Sequence, residues 1–182
     1  MSAKLCYHCF MNIILRESVQ TDLANYTSMM QETYENAYVD DSIGLTKECF
    51  SNRVFDSDDT QSYLKSKLMN TDNQKSWVAL DAGRIIGSIV VEDKGVDYEL
   101  TGFYVLPSYQ GHGIGKKLWS YAKKFARNKD IVLDIYFHNK KTIELYKHWG
   151  FEEDLSRPHF YRHWPEWPPG LQAECIYMHL KQ

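Results

Sequence analysis

The segment from Asp97 to Phe137 leaves a chain little choice of architecture. Asp97–Leu106 is an apolar run that reads as a strand. A loop follows in which Gln110–Gly115 read Gln-Gly-His-Gly-Ile-Gly. An amphipathic stretch runs from about Gly113 to Asn128. Leu118, Tyr121, Ala122, Phe125 and Ala126 fall on its apolar side, and Lys116, Lys117, Lys123, Lys124, Arg127 and Lys129 on the other. That basic stripe is most simply a solvated face. Ile131–Phe137 reads as a buried strand. Strand, helix and strand in this order make one β-α-β crossover and set the class as α/β.

The same junction carries chemistry. Alternate glycines let the backbone bend tightly and bring its N–H groups close to a ligand. The following helix points its unsatisfied N–H groups and positive dipole end at the same place. The product is an anion cradle suited to phosphate. Two common phosphate loops are excluded by spacing. A P-loop needs four residues between its glycines and then Lys-Ser/Thr, but Gly111 and Gly115 have three residues between them and Lys116 precedes Lys117. A dinucleotide fingerprint needs a third glycine where this chain has Lys116 or Leu118. What remains is Gln-x-x-Gly-x-Gly, whose plain alternative is a glycine-rich surface turn.

The rest of the chain supplies partners for this unit. Met11–Arg16 reads as a strand. Thr21 or Asp22 caps a helix to about Tyr38, with Leu23, Tyr26, Met30 and Tyr34 near helical spacing. Leu45–Leu68 reads as one or two helices with a restart at Ser57-Asp58-Asp59. Ser76–Leu80 and Arg84–Glu92 are strands joined by a hairpin turn at Asp81–Gly83. After a turn at Asp93–Gly95, Asp97–Leu106 completes the meander. Lys140–Trp149 reads as a short helix, Gly150-Phe151 begins another extended piece, and Cys175–Leu180 is a terminal strand. No linker, repeat or low-complexity stretch divides the chain. The expected organisation is an N-terminal extension at 1–10 and one domain at 11–182.

Composition narrows the partners. The 182 residues are 43% apolar and 25% charged, as in an ordinary globular domain. A net charge of −3 does not imply a nucleic-acid partner. No apolar stretch approaches membrane-spanning length, and Met1–Phe10 lacks the features of a secretory signal. The four cysteines, Cys6, Cys9, Cys49 and Cys175, suit a reducing cytoplasm. Cys6 and Cys9 could form half a zinc site, with His159 and His163 as distant ligands. No second pair follows at finger-like spacing, so no metal is expected.

A second motif begins at Asn139, in the stretch Asn139-Lys-Lys-Thr-Ile-Glu-Leu-Tyr146-Lys-His-Trp-Gly150-Phe151. Together with the Gln-x-x-Gly-x-Gly loop it resembles the GCN5-related N-acetyltransferase (GNAT) family. Thr142 stands where Ala is commoner there. The resemblance covers the element order of most of Met11 to Leu180 and is specific over Asp97–Phe151. It implies a mixed central sheet of about six to seven strands with a splayed pair, flanked by about four helices. It implies acetyl-CoA as cosubstrate, with no metal. Pantetheine would lie along the backbone of Phe103, Tyr104 and Val105. Gln110 opens the loop motif, and the N–H groups of Gly111, His112, Gly113, Ile114, Gly115 and Lys116 would cradle the pyrophosphate. Asn139 would hold the pantetheine arm, and Tyr146 would face the thiol as general acid.

The implied reaction is acetyl transfer to a primary amine by direct attack in a ternary complex. A backbone N–H near Tyr104 or Val105 would stabilise the oxyanion. The amine must lose a proton, and two carboxylates are candidates for that base. Glu99 matches the catalytic Glu of the histone-acetylating branch. Asp134 matches a carboxylate of ribosomal-protein acetylating relatives, and an apolar strand around it favours a raised pKa. A water relay is the third option. The aromatic segment Pro158–Gly170 either forms a wall for a cationic amine or packs its own rings. The helices around Tyr26–Tyr38 would supply the other wall. The acceptor is open between a small molecule and a protein amine, and homodimers are frequent among relatives. The alternatives are a non-catalytic CoA-binding or sensing module of the same fold and a structural domain.

Overall fold

A computed structural model describes residues 12–127 and 129–182. The proposed extension at 1–10, Cys6, Cys9 and the start of the first expected strand at Met11 lie outside the described residues. Among the described residues the elements are β1 (Ile14–Glu17), α1 (Leu23–Ala37), α2 (Asn52–Phe55), α3 (Asp58–Lys67), β2 (Gln74–Asp81), β3 (Arg84–Asp93), β4 (Tyr98–Val105), α4 (Ile114–Ala126), β5 (Ile131–Tyr136), α5 (Lys140–His148), β6 (Glu152–Glu153), β7 (Phe160–Arg162) and β8 (Ala173–Leu180). They form an eight-stranded sheet in the order β1-β2-β3-β4-β5-β8-β6, with β7 also paired to β8. The expected count of six to seven strands falls short because β6 and β7 are short ladders that only register against β8 creates.

The meander β1–β4 is antiparallel and β5 pairs antiparallel with β8. The two halves meet only where β4 runs parallel to β5, at Tyr98↔Ile131 and Glu99↔Val132. Beyond those two rungs the strands part. A β-bulge sits at the same point, because Val91 opposes Leu100 and Val90 opposes Gly102, leaving Thr101 as the extra residue of β4. Bulges bend a strand and re-aim its side chains.

α1 covers one face of the sheet and α4 the other. Tyr26, Met29, Met30 and Tyr34 of α1 are buried at helical spacing. α3 starts where the sequence restart predicted, with the Ser57 hydroxyl accepting from the Thr60 N–H at 3.3 Å. The stretch before it is a 3-10 turn at Lys47–Phe50 and the single turn α2, which makes five α-helices rather than about four. α4 sits close to the sheet because β3 has Gly87 beneath it. A Cβ there would lie 2.9 Å from the Tyr104 carbonyl oxygen and 3.4 Å from the Leu118 side chain. α5 is tied to α4 and β4 by an aromatic chain: Phe103 to Trp149 at 5.5 Å, Trp149 to Trp119 at 5.7 Å, and Trp119 to Phe151 at 5.8 Å.

Four sequence expectations shift. β1 runs Ile14–Glu17, where its register with Trp77–Leu80 fixes it. α4 ends at Ala126 because Arg127 takes a positive φ of 54°. Tyr121 is 39% exposed, at the margin of the α4 contact, with its ring 5.8 Å from Trp77 and Lys124 over it. Phe137 is exposed beyond the end of β5.

Candidate active site

The parting of β4 and β5 opens a cleft of about 240 Å³. β4 enters it with alternating faces. Phe103 and Val105 point toward α4, where a Cβ on Gly115 would meet them at 3.5 and 3.8 Å. Tyr104 points toward α1, its hydroxyl 3.1 Å from that of Tyr34. On one edge these three residues pair with β3, at Phe103↔Ile89, Tyr104↔Ser88 and Val105↔Gly87. Their other edge has no strand beside it, since the β5 ladder stops at Glu99.

The loop after β4 is shaped by glycine. Gly111 and Gly113 have φ of 80° and 77°, which side-chain-bearing residues rarely adopt. Gly113 is the N-cap of α4. Among the described residues, none of the six consecutive backbone N–H groups from Gly111 to Lys116 has an acceptor. The next, Lys117, closes the first helical bond to the Gly113 carbonyl at 3.1 Å. Gln110 braces the loop: its side-chain amide donates to the Val105 carbonyl at 3.0 Å. His112 Nδ1 lies 2.9 Å from the Gln110 carbonyl. Six donors on an exposed loop, joined to a helix N-terminus, fit a polyanion such as a pyrophosphate.

Asn139 caps α5, its Oδ1 accepting from the Thr142 N–H at 3.3 Å. Its Nδ2 makes no hydrogen bond among the described residues. Tyr146 is 7% exposed, lines the cleft and packs edge-on against Phe151 at 5.3 Å. Burial, with Asp134 nearby, pushes its phenol well above the usual range, so the hydroxyl stays protonated. Phenols of Tyr34, Tyr38, Tyr104 and Tyr136 in the same wall are raised by burial too.

Both candidate carboxylates line the cleft. Glu99 is on the last rung of β4, and Lys94 lies between it and Glu92, 3.4 Å from Glu99 and 2.8 Å from Glu92. Asp134 is not isolated by its apolar strand as the sequence suggested. Arg162 of β7 reaches it with an Nη2–Oδ2 contact of 2.8 Å. Tyr146 and the two carboxylates therefore line one cavity.

In the aromatic segment Pro158–Gly170 one ring is core and others are open, Tyr161 being exposed. Trp167 is buried, donates from Nε1 to the Cys49 carbonyl at 3.0 Å and stacks on Trp164 at 5.9 Å. Trp164 in turn sits 5.3 Å from Tyr34 of the cleft. His159 lies between Glu174 at 2.7 Å and Glu153 at 3.1 Å, and His163 Nδ1 is 2.7 Å from the Leu171 carbonyl. Tyr34 and Tyr38 line the cleft from the expected α1 side, whereas Tyr63, Lys67, Tyr136 and Arg162 were not singled out from the sequence. Arg162 had a signal, being a cation inside an aromatic stretch. The tyrosines read as ordinary core.

The profile described as the acetyltransferase (GNAT) family matches residues 35–151. A thialysine N-epsilon-acetyltransferase of Sus scrofa is 23% identical over 142 residues, 76% of this chain and 84% of that protein. The N-alpha-acetyltransferase RimI of Mycobacterium tuberculosis is 31% identical over 88 residues, 46% of this chain and 56% of that one. Aligned stretches span from 18% to 85% of the curated relatives' own lengths. The PaiA N-acetyltransferase of Thermoplasma acidophilum, solved in complex with coenzyme A, shares the fold. Its TM-score is 0.72 at 18% identity, over 94% of this chain and 100% of that one. With the glycine loop, the parted strands and Tyr146 all inside or beside the matched span, the chain belongs to the GNAT family of acetyltransferases.

Proposed function

We propose that the protein transfers an acetyl group from acetyl-CoA to a primary amine by direct attack in a ternary complex. The observation that carries this reading is the coincidence of the two-rung β4–β5 contact with the Thr101 bulge. It leaves the backbone edge of Phe103–Val105 unpaired between six free N–H groups on one side and Glu99 and Tyr146 on the other. The loop N–H groups hold the pyrophosphate. The free edge of β4 aligns the pantetheine, and the Asn139 amide donates to it. A backbone N–H at Tyr104 or Val105 stabilises the charge that develops on the carbonyl oxygen.

Tyr146, kept neutral by burial, donates its proton as the thiolate leaves. Glu99, on the acceptor side and half-exposed, takes the proton of the amine directly or through water. Asp134 is committed to Arg162 and shapes the wall. Amine acetylation by relatives, a thialysine N-epsilon-acetyltransferase and an N-alpha-acetyltransferase, supports the reading. Calorimetry with acetyl-CoA, followed by CoA release on adding amines, tests the reading. Micromolar binding and amine-dependent release are expected. A folded chain that binds no acetyl-CoA overturns it.

A further inference from the structure

Acetyl transfer needs a base, an acid and an oxyanion donor, but it does not need Arg162. That residue ends β7 and lines the cleft. Its guanidinium lies between two rings, 5.5 Å from the centre of Tyr136 and 5.4 Å from that of Phe160. One N–H, on Nη2, reaches Asp134. Among the described residues the other four guanidinium N–H groups have no acceptor. Beside it is a second unmet group. Tyr136 is 2% exposed, and its hydroxyl, in the same wall, has no hydrogen-bond partner among the described residues. The Tyr136 hydroxyl is a buried donor without an acceptor, which is unfavourable unless a ligand completes it, while the Arg162 side chain is 32% exposed and its spare N–H groups open to the cleft.

The other cleft cations are placed differently. Lys94 is matched to Glu92 and Glu99. Lys67 sits over the Tyr63 ring at 5.1 Å and faces the same two glutamates. Lys67 has no salt bridge among the described residues, but a single ammonium is no planar fork; Arg162, although paired to Asp134, offers the fork with donors to spare. A rigid set of N–H donors with no acceptor of its own matches a planar acceptor-only group, and a carboxylate is that group. Across the cleft, Glu99 offers the opposite sign.

We infer that the acceptor bears a carboxylate as well as its amine, as a free amino acid does, and that Arg162 with the Tyr136 hydroxyl holds that carboxylate. This rests on the acetyl-transfer reading and names its substrate class. Arg162 then sets specificity, and Asp134 orients its fork.

The test compares free L-amino acids with their decarboxylated partners, lysine against cadaverine and phenylalanine against phenethylamine, by CoA release. A charge-assisted pair predicts kcat/KM about 10- to 100-fold higher for the amino acids. Arg162→Gln brings that ratio toward one, mainly through KM, and Arg162→Lys restores part of it. Because Arg162→Gln leaves Asp134 alone and could impair folding, a wild-type measurement stands beside it. With CoA bound, lysine raises the thermal midpoint and cadaverine does not. Equal or faster reaction of the decarboxylated amines overturns the inference and leaves acetyl transfer standing. So does acetyl-CoA binding with neither set reacting. Absence of acetyl-CoA binding instead removes the reading on which the inference rests.

Discussion

Gly113→Ala separates the loop's role in binding from any role in folding. Gly113 holds φ at 77°, and nothing lies within 4 Å of the Cβ an alanine would add. The substitution is therefore a test of backbone strain and not of crowding. An L-residue in the left-handed region costs roughly 1–2 kcal/mol. The loop is exposed and its N–H groups have no partners in the protein, so the free chain can relax away from the strained conformation. The bound state cannot, because the donors must converge on the phosphates. The strain then falls on binding, and Kd for acetyl-CoA should weaken about 5- to 30-fold. Calorimetry measures this, with a melting curve of the free protein as the companion. Gly83→Ala is the control. Gly83 has φ of 83° in the two-residue β2–β3 turn, far from the cleft and locked by the ladder. It should lose stability of the same size and leave Kd unchanged. A Gly113→Ala protein that melts lower yet binds acetyl-CoA as tightly as wild type would refute the reasoning.

Three further outcomes are expected. Glu99→Gln should lower the acetylation rate and flatten the acid side of the pH–rate profile for the amine, and an unshifted profile removes Glu99 as the base. Tyr146→Phe should lower kcat about 10- to 100-fold with little change in KM for acetyl-CoA. Because burial raises the Tyr146 pKa, its acid form persists as pH rises, so wild-type kcat should show no alkaline fall from this group below about pH 10. An alkaline limb below that pH that Tyr146→Phe abolishes would contradict this. Trp167→Phe removes the donor to the buried Cys49 carbonyl and should cost about 1–3 kcal/mol, a fall of roughly 2–10 °C in melting temperature; an unchanged melt would show that this bond does not secure the β7–β8 segment.

Local signals made the α4 junction legible. Glycines at positions of positive φ, a 3.6-residue apolar stripe and an apolar strand on each side are all near in sequence. The restart at Ser57 and the turn at Ala82-Gly83 were legible for the same reason. β6 and β7 were not, since two- and three-residue strands carry no period and exist only because β8 passes beside them. The Thr101 bulge was likewise hidden: it is a property of the β3–β4 register. Within the site, the family resemblance singled out Glu99, Asp134 and Tyr146, yet it gave no partner for Asp134. Arg162 lies 28 residues away on another strand, and no local pattern joins the two. The aromatic segment was ambiguous in sequence because a ring for packing and a ring for binding look alike. Burial of Trp167 decides its case in favour of packing.

The two-rung contact between β4 and β5 has a mechanical side. The sheet is in effect two ribbons, β1–β4 and β5–β8, stitched at one end and gaping at the other. On the proposed reading, pantetheine along the free edge of β4 would supply the stitches the protein omits. Occupancy and the integrity of the sheet then become one equilibrium, in which the ribbons are coupled when loaded and more independent when empty. The molecule keeps a seam where most sheets keep a ladder, and on the proposed reading the cosubstrate would close it.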